Sequence, residues 1–289
     1  MQIPTKKFKN GFEIPVYGLG TWQMGGREKR NEENDDEADI KAIQMAIESG
    51  VTHIDTAESY ADGFTEELIG RAIKDKKRDK LFLASKVRSK NLSYDNVIRA
   101  AHGSLERLGT DYLDLYMPHS YNSQIPLKET VKALDFLVEQ GLIKNIGASN
   151  FNVQELKEAQ SCTHNKIVSN QVHYNLKYRE PDKKGVIKYC QENDIAIIAW
   201  RPLQKGMLIA EEASILHSLA EKYHKTPSQI AINWLVSQEN VVTIAKTTTE
   251  VHLQENLGAL DWEMDSEDIE ELKSEFPDQR DVSDAFPLN

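Results

Sequence analysis

The chain has 289 residues, 39% of them hydrophobic and 28% charged, with a formal net charge of −11. This is enough for one large domain with a sizeable core, or for two smaller ones, and the composition is that of an ordinary globular protein. The acidic balance argues against nucleic acid as a partner, because neutralising phosphates takes clustered Lys and Arg; a local basic pocket for a small anion stays compatible with it.

The opening MQIPTKKFKNG has no apolar run, so no signal peptide is expected, and nothing reaches the roughly 18 apolar residues of a membrane span. Two cysteines, Cys162 and Cys190, are too few for a stapled secreted scaffold or a Cys-based zinc site. Reduced thiols and a cytoplasmic location are the expectation.

In chain order, KKFKNGFEIP predicts a hairpin with a two-residue turn at Asn10-Gly11. Strand-type runs follow at 51–55, 81–87, 112–117, 143–149, 167–172, 195–200 and 241–246, with a weaker eighth near 257–260. Helical patterns fall between them. Ile40, Ile43 and Ile47 share a face over 36–49, with Gly50 just past the end. Leu68 with Ala72 and Ile73, then Val97 with Ala101, Leu105 and Leu108, mark two more, and Val131, Leu134 and Leu137 a third closed by Gly141. Asn152 with Glu155, and Thr226-Pro227-Ser228-Gln229, are helix-start signals of the capping-box type.

About eight alternations of strand and helix with no break in composition imply parallel pairing with crossovers. The expected fold is an α/β (β/α)₈ barrel formed by residues 1–289 as one domain, with a doubly wound open sheet as the alternative. The charged stretch 27–39 reads as a solvated loop and the first turn of a helix. Gly18 and Gly20 in GLGTWQMGG do not make a dinucleotide fingerprint, since Gln23 stands where the third Gly belongs and no strand-to-helix unit is expected around it.

In such a barrel, polar residues at the C-terminal ends of strands face the site. The ends supply Asp55, Lys86, His119, Ser149-Asn150, Gln171, Trp200 and Lys246. Each alone has a structural explanation as a cap, a surface lysine or a core imidazole. Together they differ, because Lys86 and His119 emerge from apolar runs where an unpaired charge is costly. Asp55 and Lys86 on adjacent strands can pair, an ammonium near Tyr60 would lower the phenol's pKa, and a neutral His119 can donate to a carbonyl oxygen.

DTAESY, LFLASKV and DLYMPH resemble, in order and spacing, the catalytic tetrad segments of the aldo-keto reductases, and the resemblance continues through GLGTWQM, IKNIGASNF, NQVHYN, AWRPL and AKTTTEVHLQEN. It spans essentially the whole chain. The resemblance implies a (β/α)₈ barrel whose bottom is closed by the N-terminal hairpin, and an NADPH-dependent reduction of aldehydes or ketones. It implies Tyr60 as proton donor, Lys86 held by Asp55 to tune it, and His119 to orient the carbonyl. Ser149, Asn150 and Gln171 match carboxamide contacts, Trp200 the aromatic beside the nicotinamide, and Leu203 a pyrophosphate contact. Lys246 and Thr247 match the 2′-phosphate cradle, Glu255 and Asn256 the adenine end, while Thr21 and Trp22 border the pocket.

Three departures from the family pattern stand out. Ser120 follows the histidine where Trp is frequent, reshaping a pocket wall that Trp22, Tyr60 and His119 also form. Arg201 replaces a common Ser. His252 replaces an Arg that clamps the 2′-phosphate, so a modest NADPH preference is expected, with NADH also accepted. A small-molecule carbonyl substrate, no nucleic acid or membrane partner, no metal and a monomeric state complete the expectations. A cofactor-binding sensor module is the alternative from another class, and the short tail FPDQRDVSDAFPLN suggests an open site.

Overall fold

The structure, a computed structural model, describes residues 2–209 and 215–288. Strands β1 (Thr5–Lys7) and β2 (Glu13–Pro15) pair antiparallel in register Thr5 with Pro15. Eight further strands form a closed parallel barrel: β3 (Tyr17–Gly20), β4 (His53–Asp55), β5 (Phe82–Val87), β6 (Leu115–Pro118), β7 (Ile146–Ser149), β8 (Ile167–His173), β9 (Ala196–Trp200) and β10 (Val241–Ala245). Sequential strands are neighbours, and β10 returns to pair with β3.

The helices α1 (Asp36–Glu48), α2 (Phe64–Ile73), α3 (Tyr94–Leu108), α4 (Leu127–Glu139) and α5 (Val153–Ser161) cover the first half. Short α6 (Glu180–Lys183), then α7 (Val186–Glu192), α8 (Ile215–Tyr223), α9 (Pro227–Ser237), α10 (Glu250–Leu257) and α11 (Ser266–Glu275) complete the ring. Both expected capping boxes form, at Asn152/Glu155 and Thr226/Gln229.

Alternation along the strands divides the core in two. Ala196 and Ile198 of β9 point inward with Val242, Ile244, Leu115 and Met117, while Ile197 and Ala199 join the larger cluster under the helices. Burial on both faces is why these strands read as largely apolar runs. Phe12 and Ile14 of the hairpin pack into the inner cluster, and Phe12 meets Phe82, the first residue of β5, at 6.1 Å, which closes the barrel's lower end. Lys6 crosses to the carbonyls of Val236 and Val241, at 2.8 Å each.

Three expectations change. Leu257 ends α10 and residues 258–260 form a turn, so the weak eighth strand is not there. The strand that closes the barrel is β3, YGLG, and the strand ending at Asp55 is therefore the second of the barrel. Two glycines in four residues carry little strand propensity, which hid it. Packing demands the first of them: a Cβ on Gly18 would lie 2.6 Å from Nδ1 of His53. The glycine segment thus does sit on a strand, but a long loop separates it from α1, so no helix N-terminus follows to hold a phosphate. Finally, the hairpin turn is wider than two residues. Gly11 N donates to Phe8 O and Phe8 N to Phe12 O, with Gly11 at φ +88°.

Candidate active site

The upper ends of adjacent strands bring the predicted polar residues together. Asp55 ends β4 and Lys86 lies near the end of β5, both essentially without solvent exposure. Lys86 Nζ donates to Asp55 Oδ1 at 2.6 Å and to Thr56 O at 2.7 Å. The other carboxylate oxygen accepts from Gln171 Nε2 at 2.7 Å. Burial works against the ammonium, but the Asp55 carboxylate and the Tyr60 phenol hold the Lys86 pKa above its ordinary value. The site therefore keeps a permanent positive charge in a dry place.

Tyr60 sits in the turn that follows β4, its N–H donated to Ala57 O. Lys86 Nζ lies 5.3 Å from its ring centroid and hydrogen-bonds its hydroxyl. The expected lowering of the phenol pKa does not prevail. Burial raises it, Lys86 offsets part of that rise, and the net direction is upward. Tyr60 is thus a protonated phenol at neutral pH. Backbone strain collects just after it: Ala61 and Asp62 both have positive φ, at +48° and +56°, followed by Gly63 at +91°. The loop below clamps this turn, with Ala61 N donating to Arg27 O and Asp62 N to Glu28 O.

His119 follows β6, half-buried. Its N–H reaches Val87 O at 2.9 Å, its carbonyl accepts from Asn150 Nδ2 at 3.0 Å, and Nδ1 is 3.0 Å from Ser59 Oγ. Burial, then the charges of Lys86 and Arg88, push its pKa down to about 3, so the imidazole is neutral at pH 7. Ser120 pairs with Ser89 at 2.6 Å.

The remaining predicted residues form two groups. Thr21, fully buried, donates to Asp55 O at 2.9 Å, and Trp22 packs edge-on against Tyr60 at 4.8 Å. Ser149 and Asn150 are hydrogen-bonded to each other, and the Trp200 indole N–H donates to Asn150 Oδ1 at 3.3 Å. Arg201, at φ +58°, pairs with Asp284 at 3.1 Å while its guanidinium lies 5.0 Å from the Trp200 ring centroid, and Leu203 is half-buried. Around β10, Thr247 and Asn256 are tied to Tyr17 in a buried cluster, so they brace the loop. His252 is exposed and Glu255 half-buried on α10.

Lys246 is the one cation of this second group that faces open space. It lines a cavity of about 490 Å³ with Gln23, Gly26, Arg27, Asn31 and Asn34. Burial lowers its pKa, Asp39 opposes that from a distance, and it makes no salt bridge among the described residues. An exposed ammonium with no salt bridge among the described residues, beside amide side chains and a glycine, fits a phosphate group. A larger groove of about 950 Å³ lies on the barrel's flank, but Arg78 and Arg107 within it are already neutralised by Asp114 and Glu66. Among the described residues no cluster of three or more His, Cys, Asp or Glu is placed to hold a metal ion, and no helix is long and apolar enough to cross a membrane.

Several residues of the site carried no signal in the sequence. His173 stacks on Trp200 at 4.3 Å and 11°, and its ring bonds Ser283 and Gln204. The short C-terminal tail, expected to leave the site open, crosses it. Glu180, buried, accepts from the N–H groups of Ser283 and Leu288, and Phe286 then stacks 5.9 Å from His119 and meets Trp200 edge-on at 6.2 Å.

Known proteins share this sequence pattern and fold. The profile of the Aldo/keto reductase family matches residues 17–275. The methylglyoxal reductase of Escherichia coli is 32% identical over 96% of both chains, and the glyoxal reductase of Bacillus subtilis 35% identical over 96% of this chain and 94% of its own. A thermostable aldo-keto reductase solved with the inhibitor epalrestat is 42% identical, with a TM-score of 0.91 over 94% of this chain and 99% of that one. An aldo-keto reductase from Klebsiella pneumoniae solved with NADPH is 32% identical, with a TM-score of 0.85 over 98% of each chain. The chain belongs to the aldo/keto reductase family and is an oxidoreductase that reduces aldehydes or ketones.

Proposed function

We propose that this reductase uses NADPH and protonates its substrate from Tyr60, and that small reactive aldehydes, dicarbonyls included, are among its substrates. The observation that carries the reading is the buried chain Gln171–Asp55–Lys86–Tyr60, which ends at a protonated phenol beside a neutral imidazole. Bound NADPH supplies the hydride for the carbonyl carbon.

The chain's own groups then do the rest. Tyr60 gives its proton to the carbonyl oxygen as negative charge builds there, and Lys86 stabilises the phenolate left behind. His119, neutral, donates a hydrogen bond to the same oxygen, an interaction of the kind worth roughly 2.7–4 kcal/mol in oxyanion stabilisation. Asp55 fixes Lys86 as an ammonium, and Gln171 fixes Asp55. In the oxidative direction the phenolate takes the proton back.

Cofactor binding falls to the second group. Trp200 offers a flat face whose other side His173 already supports. Ser149, Asn150 and Gln171 border the place of the carboxamide, Leu203 that of the pyrophosphate, and Glu255 and Asn256 the adenine end. Lys246 holds the 2′-phosphate on a loop that Thr247 braces from the buried cluster, and exposed His252 stands in place of an Arg, so NADPH is preferred only modestly and NADH is accepted. Ser120 and Trp22 shape the substrate pocket. The free thiols of Cys162 and Cys190 fit a reducing compartment, the cytoplasm, where the enzyme acts as a monomer.

The test is oxidation of NADPH with methylglyoxal, glyoxal and aromatic aldehydes, comparing wild type with Tyr60→Phe. Removing the hydroxyl should abolish nearly all turnover, a loss of at least about 10²-fold by the usual worth of a positioned acid, with NADPH affinity unchanged. Turnover retained in the variant removes Tyr60 from the mechanism. NADPH binding without turnover in either protein would mark a cofactor-sensing module instead.

A further inference from the structure

We propose that Ser59 is a positioning residue for the reduction, its hydroxyl donating to Nδ1 of His119 so that the imidazole proton stays on Nε2, the ring atom left for the substrate oxygen. The inference rests on the reading of His119 as the donor to the carbonyl.

The geometry leaves little else to decide the matter. The main chain of His119 is held at both ends, by Val87 O and by the Asn150 amide. Its ring lies between Phe286, stacked at 5.9 Å and 22°, and Tyr60, edge-on at 5.8 Å and 70°. The position of the ring is therefore set by packing, and what packing cannot set is which nitrogen carries the single proton of a neutral imidazole. Among the described residues Ser59 Oγ, 3.0 Å from Nδ1, is the only hydrogen-bond partner of the ring, and His119 is the only side-chain partner of that hydroxyl. A serine hydroxyl can donate to Nδ1 or accept from it; in the proposed arrangement it donates, which makes Nδ1 the acceptor and leaves Nε2–H as donor.

The opposite tautomer would be unproductive. A bare Nε2 lone pair would face the carbonyl oxygen and repel it, and it would compete for the Tyr60 proton. Ser59 also immediately precedes Tyr60, as the first residue of the turn that carries it. One short turn thus delivers both the acid and the group that orients its neighbour, so displacement of one disturbs the other.

The experiment uses the full-length protein with ¹⁵N-labelled histidine. Two-bond nitrogen–proton correlations report the tautomer of His119, whose signals are assigned by their loss in His119→Gln. Wild type should show protonated Nε2 and bare Nδ1. Ser59→Ala should mix the tautomers and lower kcat/KM for methylglyoxal about ten-fold, on the order of one hydrogen bond, with NADPH affinity unchanged. Ser59→Thr, which keeps the hydroxyl, should restore both. A wild type protonated on Nδ1 overturns the proposal, as does a Ser59→Ala variant in which tautomer or turnover stays as in wild type. The spectrum needs no turnover, so its result stands even if Tyr60→Phe were to show that the catalytic reading is wrong.

Discussion

The Asp55–Lys86 pair allows the energetics of the site to be tested apart from its chemistry. Both side chains are essentially without exposure, and their charged atoms are 2.6 Å apart. Breaking a buried pair by removing one partner leaves an uncompensated charge and costs about 3–5 kcal/mol. Asp55→Asn preserves the shape: an amide oxygen can stay on Lys86, and Gln171 can turn its own amide to accept from the new nitrogen. Lys86 also keeps Thr56 O at 2.7 Å. The lower end, about 3 kcal/mol, is therefore expected for Asp55→Asn, which at roughly 2–4 °C per kcal/mol is a fall in Tm of about 6–12 °C. Lys86→Met strands the carboxylate with Gln171 alone and should cost at least as much. The double variant removes both charges and should recover most of the loss, because two buried ions exchanged for neutral groups of similar volume are often stability-neutral. Calorimetric unfolding of the four proteins gives the coupling, expected at about 2 kcal/mol or more. Additive losses, or single variants within about 1 °C of wild type, would refute the view that each charge is there to satisfy the other.

Two further outcomes follow from the same geometry. Lys246→Met should weaken NADPH binding by at least about ten-fold and leave NADH nearly unaffected, since a Lys point charge recognises phosphate; equal losses for both cofactors in fluorescence titration would move the 2′-phosphate elsewhere. Stability should fall below pH 6.5. Burial pushes His53 and His173 down to about 4 and His119 to about 3, so the folded protein binds fewer protons than the unfolded chain in that window. Their contribution is complete above pH 6.5 and is lost as pH falls toward 4, each group costing up to about 1.4 kcal/mol per pH unit. A Tm that stays constant from pH 7 to 4.5 would contradict this.

Much of the molecule was readable from its sequence because local signals agreed with the tertiary answer. Strands buried on both faces read as largely apolar runs: β9, AIIAW, is unbroken, β10 is interrupted only by Thr243, and β5 stays apolar up to Ser85 and Lys86. Helix starts at Asn152 and Thr226 are written in side chains that bond their own backbone. A lysine at the end of an apolar run announces that something buried must pair with it, and Asp55 does.

Where tertiary contacts alone decided, the sequence was silent or misleading. A glycine-rich YGLG is the closing strand, paired to β10 and β4, and His53 leaves no room for a side chain at Gly18. The direction of the Tyr60 shift is a contest between burial and a neighbouring ammonium, and their relative size depends on how tightly the folded site excludes water. Ser59 and His173 lie inside quoted motifs, and Phe286 in the tail, yet none has a role legible there, since those roles come from meeting residues far along the chain: His119, Trp200, and both of these together. Composition, period and caps are local properties and fix the barrel; distances across the barrel mouth arise only once it has closed, and they set the chemistry.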